Sequence, residues 1–309
     1  AEDAFLENIN RMLGESMKEV ASMDAAFYLF KHMSPEGLSA VPARMVSELL
    51  KSRALEKYRF EGEYLIAIDG TEIYRSQIPH CDKCLTQKHS NGSIDYFHTV
   101  LEAKLITPQG MSFSLGTVFV ENEEGNYNKQ DCELKAFYRL APVLKAAFPR
   151  LRICLLMDSL YANEKVLKIC EVNNWSYFVA FKEGAIPTLY KKAFTQMEHR
   201  PEDAVAVINQ DGNEETYRWA CNLNYKSQTT HLVTANIPEV KRRSKRKPTD
   251  EQTKTTRFVY LTDHRPSADT VIAYINSGGR QRSKIEESFN VQKNGGMNLE
   301  HNYGAQGNA

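Results

Sequence analysis

The sequence predicts an α/β fold: a mixed sheet flanked by helices, with an inserted β-rich subdomain and a small N-terminal helical region. Three observations predict it. Residues 3–57 carry helical periodicity, strand-like runs alternate with helical ones from Tyr64 onward, and residues 182–265 hold short β-rich pieces between polar turns with no strong helix. The divisions are a helical N-terminal region at 1–60, the first part of the core at 61–181, the inserted β-rich subdomain at 182–265, and a helical region at 266–309 that completes the core. The chain begins without Met and stops soon after the helix "RQRSKIEESFNVQK", so it is expected to be truncated.

Each element has its own signal. "FLENINRMLGESMKEV" and "ARMVSELLKSRALEKY" are helical, broken by "MSPEGLSAVP". "YLIAIDG" is a buried strand, and "DYFHTVLEAKLIT" and "MSFSLGTVFVE" form an antiparallel pair across the turn "PQG". "KQDCELKAFYRLAPVLKAAFP" is a helix with Leu134, Phe137, Tyr138 and Leu144 at helical spacing and Pro149 as its stop. The strand "LRICLLMDS", a helix beginning near Asn163 and the strand "WSYFVAFK" follow. "DAVAVINQ", "ETYRWACNLNYKS", "THLVTANIPE" and "TRFVYLTDH" are the strands of the insert. Helical signals return in "SADTVIAYIN", then the turn "SGG" and the helix "RQRSKIEESFNVQK", which ends at "NGG".

The 309 residues can bury a large core, and 42% hydrophobic with 25% charged content is ordinary for a globular protein. The 39 basic and 39 acidic side chains cancel, so nucleic-acid binding has to come from local clustering. No window approaches the ~20 apolar residues of a membrane span, and no secretory signal opens the chain. A cytoplasmic protein is expected. Six scattered cysteines point to reduced thiols rather than a disulfide framework.

Two apolar runs end alike. Leu65 to Ile68 lead into Asp69, and Ile153 to Met157 into Asp158. A carboxylate at the end of a core strand is rigidly held yet reaches solvent, and two from neighbouring strands can share a divalent cation. Mg²⁺ takes one or two protein carboxylates plus substrate phosphates, and a two-metal site serves phosphodiester chemistry. A third acid comes from the helix at 280–293, where Arg282, Glu286 and Lys293 fall within about 40° of one another, flanked by Ile285 and Phe289 for packing. Glu287 points roughly 100° further round. The acid suits the metal and the two cations suit a phosphate backbone.

"AIDGT", "LLMDS" and the spacing Arg-x3-Glu-x6-Lys in "RSKIEESFNVQK" resemble the DDE transposases of bacterial insertion sequences, in the group marked by Tyr-x2-Arg-x3-Glu-x6-Lys. The order of elements from Tyr64 to Lys293 also resembles their RNase H-like core, interrupted by a β-rich subdomain between the second Asp and the Glu. The resemblance implies a catalytic, metal-binding triad of Asp69, Asp158 and Glu286 with two Mg²⁺ or Mn²⁺ ions, and DNA contacts from Arg282 and Lys293. It implies cleavage of transposon ends and strand transfer into target DNA, a homodimer in the DNA complex, and location in the bacterial nucleoid. The signature's Tyr falls at Gly279, with Tyr274 nearby but out of register. The rival readings are an RNase H-like nuclease that cuts without joining, and a non-catalytic DNA-binding derivative.

Other features carry two readings each. "HCDKC" gathers His80, Cys81 and Cys84, with His89 and His98 downstream. Cys-x2-Cys is half of a common zinc site, but the second half has no recognised spacing, so two reduced cysteines in a loop is the expectation and structural Zn²⁺ at Cys81 and Cys84 the alternative. "KRRSKRK", with Lys241, Arg242 and Arg243, reads as a flexible loop that neutralises DNA phosphates, or as solvated surface. Tyr217 and Trp219 share a strand face, where Trp219 either stacks a flipped base or belongs to the subdomain core. Asp131 and Glu133 read as helix-start acids rather than ligands.

Overall fold

Strand β1, Tyr64–Ser76, divides its side chains between two cores, with Ile66 and Ile68 on one face of the sheet and Leu65 and Ala67 on the other. Both faces are covered, which is why the strand reads as an unbroken apolar run rather than an alternating one. The computed structural model describes residues 6–8, 10–11, 14, 16–20, 22–32, 35–79, 81–122, 129–240 and 253–300. Among them, β1, β2 (Leu85–Lys88), β3 (Ile94–Ile106), β4 (Ser112–Val120), β5 (Ile153–Met157), β6 (Ser176–Ala180), β7 (Ala204–Ile208), β8 (Glu214–Tyr225), β9 (Gln228–Val240) and β10 (Thr253–Thr262) form one ten-stranded mixed sheet. The order is β2-β3-β1-β5-β6-β10-β9-β8-β7, with β4 on β3.

Connections follow from strand direction. β3 and β4 are antiparallel, so a tight turn suffices, closed by Gly110 N–H donating to the Thr107 carbonyl at 2.9 Å with Gly110 at φ +87°. β1 and β5 run parallel, as do β5 and β6. The last pair needs a crossover, supplied by the helix Glu164–Asn173, whose N-cap Asn163 accepts from the Val166 amide at 3.1 Å.

Helices α1 (Met23–His32) and α2 (Pro35–Lys51) make the N-terminal region. One face of the sheet is covered by α3 (Glu133–Ala147), the crossover helix α4 and α5 (Pro187–His199), through Phe137, Leu140, Leu167, Leu189 and Met197. The other face is covered by the C-terminal segment: a helical turn Val271–Ala273, a π-helical stretch Tyr274–Gly278, a 3₁₀ turn Gly279–Arg282 and α6 (Ser283–Asn294), which sets Ile285 and Phe289 on the sheet. Lys104 fastens α6. Its buried ammonium donates to Ser288 Oγ and Gln292 Oε1 at 2.9 Å each, lies 3.2 Å from Glu102 and sits over the Phe289 ring.

Three local expectations change. Residues 182–265 do contain a helix, α5; Leu189, Ala193 and Met197 point inward at four-residue spacing, a stripe too thin to stand out among lysines and polar residues. "SGG" is not a turn. A Cβ at Gly278 would lie 2.9 Å from the Phe178 ring and one at Gly279 2.7 Å from the Tyr260 ring, so the glycines let a continuing helical segment lie directly on two aromatic rings. The regular helix carrying Glu286 begins at Ser283, which leaves Arg282 in the preceding 3₁₀ turn rather than inside the helix.

Candidate active site

Parallel pairing of β1 with β5 sets Ala67 beside Leu156, so the same register carried two residues further sets Asp69 beside Asp158 where β5 stops. Only the second apolar run ends its strand at the aspartate: β1 continues past Asp69 to Ser76, because β3 goes on pairing with it. Asp69 follows Leu65 and Ala67, and Asp158 follows Cys154 and Leu156; those four side chains lie on the face that α6 covers. By strand alternation the two aspartates belong to that face as well. Asp158 also caps the 3₁₀ turn Ser159–Tyr161, its Oδ1 accepting from the Leu160 amide at 2.8 Å.

Arg282 joins the sheet to α6. Its Nη1 lies 3.5 Å from Asp69 Oδ2 and its Nη2 bonds Glu286 Oε1 one turn on. Glu286 is 54% exposed at the mouth of the site, whereas Glu287 turns away to Lys284 at 2.9 Å. Lys293, two turns along α6, pairs with Glu300.

Glu133 is a helix-start acid, as expected, and has a second role. It does occupy the first turn of α3, but its carboxyl fills the space beside Gly70, where a Cβ would stand 2.6 Å from the carboxyl carbon. Asp131 precedes the helix, and its carboxylate accepts from Arg139 at 2.6 Å and from the Glu121 amide at 3.2 Å. The one sequence signal for Glu133 is the glycine directly after the first aspartate, an absence of side chain that a neighbour can use. Tyr161 is a second missed residue: it is fully buried, and its hydroxyl has no hydrogen-bond partner among the described residues.

The electrostatics follow from this crowding. Burial, then the charges of Glu286 and Asp158, push Asp69 up to about 6 against the opposing pull of Arg282. Burial, then Asp69 and Asp158, push Glu133 up to about 7. Burial and the charges of Glu133, Asp158 and Asp69 also drive the Tyr161 phenol above its ordinary range. Several carboxylates repel one another around a single guanidinium, so the site is short of positive charge, and its donors are all hard oxygens. That donor set fits Mg²⁺ or Mn²⁺. The three acids are not drawn into one tight knot. Among the described residues, the three-ligand clusters whose atoms all lie within 4.8 Å of one another are Cys81–Cys84–His98 and Glu63–Cys154–His264. The second of these is a buried contact of Glu63 with His264 at 3.3 Å, beside a thiol that burial keeps protonated.

The remaining candidates are placed as follows. Trp219 and Tyr217 are buried in the core cluster on the α6 side, so Trp219 has its face against protein rather than open to a base; a bulky indole on an inward strand position packs before it binds. Gly279, where the resemblance calls for Tyr, lies under the ring of Tyr260 from β10. Lys241, Arg242, Arg243 and the rest of the basic run lie outside the described residues, as does His80. His89 is engaged by Asp95 at 3.0 Å. No helix among the described residues is long and apolar enough to cross a membrane. A scan against protein-family models and a search of curated proteins gave no match for the chain.

Proposed function

We propose that the chain is a DNA transposase of the DDE class, an endonuclease and strand-transferase that acts on the ends of a bacterial insertion sequence. The observation that carries the reading is that Arg282 reaches both Asp69 and Glu286 while Asp69, within β1, lies beside Asp158, which directly follows the parallel neighbour β5. The order β4-β3-β1-β5-β6, antiparallel over the first three strands and parallel over the last three, supports an RNase H-like core.

Asp69, Asp158 and Glu286 would hold the divalent ions, which when bound supply Lewis-acid stabilisation of the attacking and leaving oxygens. The chain's own residues do the rest. Burial of Asp69 and its place within β1, paired with Glu102 of β3, fix its carboxylate in one position. Arg282, shared between two carboxylates, is positioned to pass to a phosphate once those carboxylates are otherwise neutralised. Lys293 holds the DNA backbone further along α6. Water attacks the phosphodiester at the element's end and leaves a 3′-OH; that hydroxyl attacks a target phosphodiester in line, so one bond breaks as each new one forms. Two copies of the chain act on the paired ends.

The test uses duplexes taken from the DNA flanking the coding frame, incubated with the full chain and Mg²⁺ or Mn²⁺. A transposase cuts them and joins pre-cleaved ends to a target plasmid. Cutting without joining returns the nuclease reading, and binding without cutting the non-catalytic one.

A further inference from the structure

The loop between β1 and β2 carries two cysteines that the carboxylate site does not use. We propose that Cys81, Cys84 and His98 form a zinc site that clamps this loop onto β3. The two sulfurs are 3.9 Å apart, and His98 Nε2 lies 3.4 Å from Cys81 Sγ and 3.3 Å from Cys84 Sγ. A tetrahedral zinc ion with bonds of about 2.3 Å to sulfur and about 2.05 Å to nitrogen sets its ligands about 3.8 Å apart for two sulfurs and about 3.6 Å for sulfur and nitrogen. All three separations match one face of that tetrahedron to within about 0.3 Å.

Hydrogen bonding alone does not account for the cluster. One ring nitrogen carries either one proton or one lone pair, so it meets two thiols at once only through a shared and weaker bond. A cation between the three atoms reconciles them. Core packing does not account for it either, because Cys81 is exposed while Cys84 is buried.

The surrounding backbone suits thiolates. The Cys84 amide donates to the Cys81 carbonyl at 3.3 Å, closing the tight turn that brings the two side chains to one side. The Cys81 amide donates to Cys84 Sγ at 3.4 Å. Outer hydrogen bonds of this sort orient metal ligands. The turn is held from behind by buried Asn122, whose side-chain amide donates to the Cys84 carbonyl at 2.8 Å and whose backbone amide donates to the Lys83 carbonyl at 3.1 Å. His98 comes from a different element, paired with Tyr74 just past the irregularity in β1. The ion therefore ties a loop to the same strand pair that carries Asp69, at a point several residues beyond it. Two soft thiolates and an imidazole select zinc over the hard cations that the carboxylates take, so the two sites do not compete for one metal.

The site stands or falls independently of DNA chemistry. The experiment is elemental analysis of the full chain purified without chelator, followed by removal of metal and titration with Co²⁺ alone. About one zinc per chain is expected, with thiolate-to-cobalt charge transfer and the visible bands of a tetrahedral ion. Cys84→Ser and His98→Ala lose both signals, and Cys132→Ser keeps them. His98→Cys guards against misfolding as the cause: it keeps one ion and strengthens the charge-transfer absorption, because a third thiolate joins. The proposal is overturned if the chain carries no zinc and Co²⁺ gives no charge-transfer band, if zinc persists when Cys81 and Cys84 are both serine, or if thiol counting after denaturation finds two fewer than the six cysteines because these two are disulfide-bonded.

Discussion

Gly70 leaves the gap into which Glu133 reaches: a Cβ on the glycine would stand 2.6 Å from the Glu133 carboxyl carbon. The two residues come from opposite sides of the protein's architecture. Gly70 follows Asp69 on the central strand, and Glu133 opens a helix packed on the sheet face away from α6. The acidic site is thus built from both sides, with Arg282 and Glu286 arriving over one face and Glu133 over the other.

Asp69→Asn should lower the titration of Glu133 from about 7, because it removes the largest of the charges pressing on it. The value should stay above the ordinary carboxylate range, since burial is the greater cause and survives the substitution. Carbon-detected NMR titration of the side-chain carboxyls reads this directly. A Glu133 titration that does not move would mean that the two groups share no field.

Metal affinity should depend on pH with a definite sign. In the folded chain Asp69 holds its proton up to about 6 and Glu133 up to about 7, against roughly 4 when unfolded. Their contribution to stability is full below about pH 4 and is lost as pH rises through the folded values. Mn²⁺ competes with those protons. The rise in Tm that it produces should therefore be small at pH 5, grow through pH 6 to 7 and level off above. A shift that is flat or falls over that interval contradicts the carboxylate site.

Glu286 and Glu287 are adjacent acids with different neighbours, Arg282 for the first and Lys284 for the second. Glu286→Gln keeps size and hydrogen bonding but removes the charge, so metal-dependent cleavage should fall by on the order of 10²-fold or more while DNA binding persists. Glu287→Gln should stay within about twofold, as exposed substitutions away from a site usually do. The opposite pattern would mean that the helix presents a different face.

Lys104→Ala removes the partner of buried Glu102 and the anchor of Ser288 and Gln292. A loss of about 3 kcal/mol in urea unfolding is expected, as for other broken buried pairs. Replacing both members, Lys104→Met with Glu102→Gln, should restore much of it. A single variant as stable as the parent would show that α6 is held by Ile285 and Phe289 alone.

The centre of the sheet was legible because β1 and β5 are covered on both faces; "YLIAIDG" and "ICLLMDS" announce themselves as apolar runs, and the Asp that follows each run needs no partner to be seen. The stripe of Arg282 and Glu286 follows from helical geometry and survives the later start of α6. What escaped depended on distant neighbours. Glu133 looks like an ordinary helix-start acid until Gly70 is set beside it. Lys104 is a single charge in a strand, and nothing local says that Ser288 and Gln292 will meet it. The two glycines at 278 and 279 look like a turn because the sequence does not show the rings of Phe178 and Tyr260 lying underneath. The convergence of His98 on Cys81 and Cys84 is hidden for the same reason, since register between β1 and β3 sets it rather than spacing.

The most direct measurement is a crystal structure of the chain soaked in Mn²⁺ above pH 7, with the ions located by anomalous scattering. The expected result is Mn²⁺ at about 2.1 Å from carboxylate oxygens of both Asp69 and Asp158, with Arg282 drawn away from Asp69 and no manganese at Cys81, Cys84 and His98. Manganese absent from the two aspartates, or bound only at other surface acids, would contradict the assignment of Asp69 and Asp158 as the metal-binding centre.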